Sequence, residues 1–376
     1  MSDYQLDWQR VRIGDLLIEH SDRSSTSSQH EVLSVTKDGI FSQREYFKKQ
    51  IASEDNSGYK VVKKGDVVFS AMNLWMGSID VVKNHEVGIV SPAYITMRSN
   101  KQVVDAEFLS YFLRGDDMRK KYVQHSQQGA SIVRRNLNKD DLLDDEIAMP
   151  PLPEQRKIAE ILSGIDNQIL SVKSEIQQAR KISTAVTKNL LGSIQDGTLT
   201  LSEVATNHDS IRVPIKSEER ALRNGPYRYF GASGIIDSID DFLFDGDYIL
   251  IGEDGANIID RNKPLAFKVS GKFWVNNHAH IIQPRESCDI NFLTYYLESL
   301  DYTGIASGSA QPKITRSALD AIQVPIPPLE VQKKIGAVIE STIDMATTAE
   351  KKEKKLIDLR KAISSDLLSG RKRVSI

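Results

Sequence analysis

The residues best suited by type to catalysis or metal binding are His278 and His280 in the run "NNHAH", Cys288, and the Glu-Lys-Lys triplets at Glu350 and Glu353. None makes a site by its spacing. His278 and His280 stand two residues apart, so a strand through "NNHAH" puts them on one face, but two histidines with no further ligand at metal-binding spacing make no zinc site. Cys288 is the single cysteine and reads as a structural thiol. The triplets fit the short carboxylate–lysine pattern of metal-dependent nucleases, yet they stand in a charged helical stretch where such triplets recur by chance. The Pro-Pro pairs read "MPPL" and "IPPL", without the Asn or Asp and the aromatic residue that hold a target base in DNA methyltransferases. "FGASG" (230–234) is a strand-connecting turn, and no P-loop is present. No catalytic residue, no metal ligand and no cofactor of the chain's own is expected.

The residue types do offer recognition. Reading a base edge takes Arg, Lys, Asn, Gln or Ser presented beside aromatic or apolar groups. The first half supplies "DGIFSQREYFKK" (38–49) with Gln43 and Arg44, "SAMNLWMG" (70–77) with Asn73 and Trp75, and "HSQQGASIVRRN" (125–136) with Gln127, Gln128, Arg134 and Arg135. The second half supplies "NGPYRYFGASG" with Tyr227 and Arg228, "WVNNHAH" with Asn276, Asn277 and His278, and "ASGSAQPKITR" with Ser309, Gln311, Lys313 and Arg316. Each stretch reads as a loop, and any one of them alone is an ordinary polar loop. Their comparable places in both halves make DNA the expected partner. From Arg114 to Lys139 there are seven basic residues against two acids, although the whole chain carries a net charge of only −2.

These stretches hang on an internal repeat. "MPPLPEQRKIAEILSGID" (149–166) and "IPPLEVQKKIGAVIESTID" (326–344) are two versions of one proline-marked helix entry: Gln155 matches Gln332 and Lys157-Ile158 matches Lys334-Ile335, a shift of 177 (332 − 155). The likeness reaches outside the helices. "FLSYFL" (108–113) resembles "FLTYYL" (292–297), "KKGDVVFS" (63–70) resembles "FDGDYILI" (244–251), and "RIGDLL" (12–17) resembles "TLSEVA" (200–205). Apolar residues at Ile158, Leu162, Ile165, Ile169, Val172 and Ile176, spaced by three and four, form the seam of a coiled coil. Ile335, Ile339, Leu356 and Ile363 continue it, more poorly, in the second helix. If the two copies are related by a pseudo-two-fold axis, the helices run antiparallel. Val331 stands where the first copy has Glu154, so a pairing made by Glu154 has no counterpart in the second copy.

A chain of 376 residues is too long for one ordinary core, and 40% hydrophobic residues suffice for two. No signal peptide and no apolar run of about 20 residues is visible, so no membrane is expected and the cytoplasm is the expected compartment.

The layout resembles the specificity subunit of type I restriction–modification systems. The residues that carry the resemblance are "PPLPEQRKIAEILSGID" with "NLLGS", "PPLEVQKKIGAVIESTID" with "DLLSG", and "GSAQPKIT" (308–315); together they cover essentially the whole chain. It implies an α+β chain of two tandem mixed α/β target-recognition domains, residues 1–148 and 198–325, with spacer helices in 149–197 and 326–376 that form an antiparallel coiled coil. It further implies a non-enzymatic subunit whose domains each read one half of an asymmetric, bipartite double-stranded DNA site while the helices set the gap. Two methyltransferase subunits, which hold the S-adenosylmethionine, and restriction/translocase subunits would be its partners. A stand-alone DNA-binding regulator, an enzyme with an unrecognised site and a non-DNA scaffold are the competing readings.

Overall fold

The structure is a computed structural model that describes residues 8–27, 30–47, 55–128, 135–308 and 311–375. The chain divides into two compact units, Met1–Ser171 with Glu353–Ile376, and Val172–Lys352.

The first unit begins with β1 (Gln9–Arg12), α1 (Ile13–Leu16), β2 (Leu17–His20), β3 (Leu33–Thr36), β4 (Gly39–Ser42) and α2 (Gln43–Tyr46). Next come β5 (Lys60–Lys63), β6 (Asp66–Ser70), β7 (Ile79–Val81), β8 (Val87–Val90), β9 (Tyr94–Ser99), α3 (Ala106–Leu113) and α4 (Asp116–Gln124). It closes with β10 (Ser126–Gln128), β11 (Arg135–Leu137), α5 (Lys139–Asp144), β12 (Glu146–Met149) and the start of α6 (Leu152–Gly192). Four strands in the order β2-β9-β6-β7 make an antiparallel sheet, and β1 pairs with β12 as an antiparallel ribbon at the domain's entry and exit.

The second unit repeats this plan. Its elements are β13 (Thr198–Thr200), α7 (Leu201–Val204), β14 (Ala205–Asn207), α8 (Ser217–Leu222), β15 (Tyr227–Gly231), β16 (Gly234–Ile239), β17 (Phe244–Gly252) and α9 (Asn257–Asp260). They continue with β18 (Ala266–Val275), β19 (Ala279–Pro284), α10 (Ile290–Ser299), α11 (Arg316–Asp320), β20 (Gln323–Pro325) and most of α12 (Leu329–Leu368). Strands β14-β19-β17-β18 correspond to the first unit's sheet, and β15 and β16 extend it to six. The ribbon recurs as β13 with β20.

Local chemistry explains the shared elements. Asp105 caps α3 by accepting from the amides of Glu107 and Phe108, and Asp289 caps α10 from that of Phe292, each cap worth about 1 kcal/mol. The two matched glutamines then tie the long helices to those caps. Buried Gln155 accepts from the Asp105 amide at 2.8 Å and donates to the carbonyls of Val103 and Pro150; buried Gln332 accepts from the Asp289 amide at 2.9 Å and donates to those of Ser287 and Pro327.

Helices α6 and α12 have 41 and 40 residues, about 60 Å each at the standard rise. Within each unit their segments pair antiparallel. In the first, Asp166 meets Arg360 at 3.0 Å; in the second, Glu175 meets Lys352 at 3.5 Å, Arg180 meets Glu350 at 2.6 Å and Ser183 meets Thr342 at 3.1 Å. The Glu350 triplet therefore belongs to helix pairing.

The seam residues divide between the domain cores and the helix pair. Ile158 and Leu162 are fully buried, but in the first domain's core with Phe108, Leu109 and Tyr122, and Ile335 and Ile339 are buried in the second domain's core with Phe292 and Leu293. Val172 and Ile176 are buried, whereas Ile165, Ile169, Leu356 and Ile363 are only half-buried. The helix ends are thus rooted in domain cores, in clusters with buried residues of α3 and of α10, and Val172 and Ile176 are buried in the middle.

Candidate nucleic-acid interface

Three of the stretches read as loops carry their candidates on regular structure: 38–49, the run at Tyr227, and 125–136. Gly39, at φ 131°, turns the chain from β3 into β4, so Gln43 and Arg44 sit on the helical turn α2. Gln43 Nε2 donates to Ser34 Oγ at 2.8 Å, which turns this side chain inward; Arg44 is exposed. Tyr227 and Arg228 lie on β15, because Tyr229 behind them is fully buried beside Trp274 and pulls the run into the sheet. Tyr227 packs on Phe242, and Arg228 donates to the Ser270 carbonyl. Arg134 and Ser309 lie outside the described residues, and Gln128 is described in its backbone alone.

The remaining candidates of the first domain converge. Gln127 is exposed on β10, and Arg135 opens the paired strand β11. The Arg135 guanidinium stacks on the Trp75 ring at 4.4 Å, and its amide donates to the carbonyl of Met72, next to Asn73. A cation held over an indole beside amide side chains is a surface suited to bases and phosphates. Below it, His125 and Lys121 both bond to Asp145, whose carboxyl burial pushes up and these two partners hold down.

In the second domain the Asn276–His278 turn and the Gln311–Lys313 arm come together across the end of β17. The amide of Glu253 donates to the His278 carbonyl at 2.9 Å, and its own carbonyl accepts from the Ile314 amide at 2.8 Å. Asp254 meets His278 Nδ1 at 2.8 Å, and the Gly255 amide donates to the Pro312 carbonyl at 3.0 Å. Asn276 is buried and accepts from the His278 amide, while Asn277 and Gln311 are exposed. Gly308 closes the arm at φ 86°, and a Cβ there would lie 2.7 Å from the Gln311 carbonyl oxygen, so the glycine of "GSAQPKIT" is required. Arg316, exposed, pairs with Asp320.

Lys313 is not the free cation its type suggests, since its ammonium lies 3.0 Å from Glu253 while the side chain stays 51% exposed. Glu253 is itself buried and also bonds Arg212 at 2.5 Å. Burial drives this carboxyl up, but Arg212 and Lys313 outweigh it and hold it below the usual range; Asp209 is depressed in the same way by His280. The buried His280 ring faces Asp209 at 2.6 Å on one side and the Ile314 carbonyl at 2.9 Å on the other. The expected strand does not run through both histidines: His278 is exposed in the turn before β19, and His280 is buried on β19.

Sequence reasoning missed Asp209, Arg212, Glu253 and Asp254. The one available signal was an acidic pair closing the apolar run "DYILIGED". Matching β6 to β17 puts Met72 where the second domain has Glu253. Both carbonyls hold the reading arm, and only the second domain adds a carboxylate. Among the described residues no group of three or more His, Cys, Asp or Glu could hold a metal ion, and no helix is long and apolar enough to cross a membrane.

The model of the type I restriction modification DNA specificity domain matches residues 5–180 and 197–359. The chain is similar to the type I restriction enzyme MjaVIII specificity subunit of Methanocaldococcus jannaschii, 26% identical over 98% of this chain and 93% of that one. It is also similar to a putative type I restriction enzyme specificity subunit of Haemophilus influenzae, 36% identical over 141 residues that span 38% of this chain and 36% of that relative. Among solved structures, a type I restriction–modification system S subunit from M. genitalium shares the fold with a TM-score of 0.63, at 17% identity and 96% coverage of both chains.

Proposed function

Because the chain belongs to the family of type I restriction–modification DNA specificity subunits, a non-catalytic component of such complexes, we propose that it selects the DNA sequence its complex acts on. Each domain reads one half of a bipartite double-stranded site, and the paired helices fix the number of base pairs between the halves. Two methyltransferase subunits, which carry the S-adenosylmethionine, dock on the helical frame; restriction and translocase subunits join in the full complex, and the work is done in the cytoplasm. The boundaries that suit this division are 1–148 and 198–325 for reading and 149–197 and 326–376 for spacing.

One observation carries the reading: the same sheet, ribbon and glutamine clamp occur twice, while the surfaces they present differ. Trp75 with Arg135 forms one, and His278 with Gln311 and Lys313 forms the other. Two different surfaces on one scaffold read two different words. A stand-alone regulator or a scaffold has no need of that pairing.

To test it, the tagged chain is isolated from its own host with whatever binds it, given S-adenosylmethionine and random DNA, and the methylated sites are sequenced. A gapped, asymmetric two-part adenine motif with methyltransferase copurified supports the reading. A palindromic or continuous motif, or a chain that brings down no methyltransferase and directs no methylation, defeats it.

A further inference from the structure

We propose that Glu253 is a positioning residue for base choice in the second domain: its carboxylate locks the Asn276–His278 turn and the Gln311–Lys313 arm into one reading surface. This rests on the reading of that domain as a DNA half-site reader.

The argument starts from an acid that the fold does not need for its core. Met72 occupies the matching place in the first domain, exposed, and offers the arm there its carbonyl but no carboxylate. Glu253 is buried at the end of an apolar strand, and burying a carboxylate costs free energy that an apolar residue would not incur. What the carboxylate adds is a link between segments distant in sequence. One oxygen holds the Lys313 ammonium at the tip of the arm; the other holds Arg212, which donates in turn to the Ala279 carbonyl behind the turn. From the far side His280 fixes the Ile314 carbonyl. The arm and the turn are therefore fixed relative to each other by charge as well as by backbone. Base readout depends on donors held to within about 0.5 Å, so loosening this link relaxes discrimination before it abolishes binding.

A second consequence concerns charge. Beside Glu253 the Lys313 ammonium keeps its proton yet is locally neutralised, which makes it a directional donor more than a phosphate-seeking cation.

The test uses the full chain in complex with its host's methyltransferase subunits and profiles the methylated sites of a random DNA library. Glu253→Gln, Glu253→Met and Lys313→Gln are compared with the unaltered chain. We expect the base preference at one or more positions of a single half-site to fall about tenfold, with the other half-site and the gap unchanged. Glu253→Gln combined with Lys313→Gln should add little beyond either alone. Unchanged preferences at both half-sites overturn the proposal, and so does a uniform loss of methylation on all sequences, which marks a merely structural role. Should Glu253→Met fail to fold, the isosteric Glu253→Gln decides, and unchanged preferences in that variant overturn the proposal. If the unaltered complex itself yields no two-part motif, the reading of the domain falls first, and the proposal with it.

Discussion

Arg373 closes a two-pronged ion pair on Glu154, Nε to Oε1 at 2.6 Å and Nη2 to Oε2 at 2.7 Å, with the carboxylate fully buried at the entry of α6. The residues after α12 therefore fold back onto the first domain. Arg373→Ala strands a buried charge and should cost about 2–3 kcal/mol, discounted because the arginine is itself 38% exposed. Glu154→Gln should cost less, since it removes the charge along with its partner's bond. Chemical denaturation measures both, and an Arg373→Ala chain as stable as its parent would show the pair to be idle.

The glutamine clamps should act locally. Gln155→Ala leaves the Asp105 amide and two carbonyls without their partner, and Gln332→Ala does the same at Asp289, for about 2–3 kcal/mol each. Hydrogen exchange by NMR should show the Asp105 amide newly exchanging in the first variant and the Asp289 amide in the second. Exchange that rises equally in both domains would mean the clamps do not act separately.

Substitutions along the helices should grade with burial. Ile158→Asp and Ile339→Asp place a carboxylate inside a domain core and should cost several kcal/mol, whereas Ile169→Asp, at a half-buried position, should cost about 1–2 kcal/mol. Equal losses at all three in urea titration would restore the uniform coiled coil that the spacing alone suggests.

How much of this was legible depends on where each partner lies in the chain. The helix entries, the caps and the alternation of the core strands are local patterns, so the repeat and the two-domain plan could be read directly. Val331 in place of Glu154 correctly announced an ion pair without a twin. The reading surface was legible by residue type but not by role. Gln43 is engaged by Ser34 nine positions back, and Lys313 is engaged by Glu253 60 positions back (313 − 253). Nothing within a few residues of either announces this, because the contacts are made by sheet pairing.

Acid should loosen the second domain's reading surface. The folded-state pKa values of Asp209 and Glu253 lie below their ordinary values near 4, so the stabilisation they give is present above pH 4 and is lost as pH falls through the depressed folded values. Fluorescence of Trp274, whose indole donates to the Val213 carbonyl next to Arg212, should stay constant from pH 7 to about pH 4 and change below it. A transition centred near pH 6 would assign the change to other groups.

Cys288 should be inert in the folded chain. Burial pushes its thiol up to about 12, so almost no thiolate exists at pH 8. A thiol reagent such as Ellman's should react in urea and be at least a hundredfold slower without it. Comparable rates in both conditions would show that this part of the domain opens readily.

The ribbons have a consequence for inheritance. Gln9 pairs with Met149 and Thr198 with Pro325, so the chain enters and leaves each domain through neighbouring strands. Everything between those strands can be exchanged for a foreign segment that ends in the same ribbon, leaving the frame untouched. Genetic crossovers at two short stretches would give such a chain a new domain in one step, with no need to pass through a half-altered intermediate.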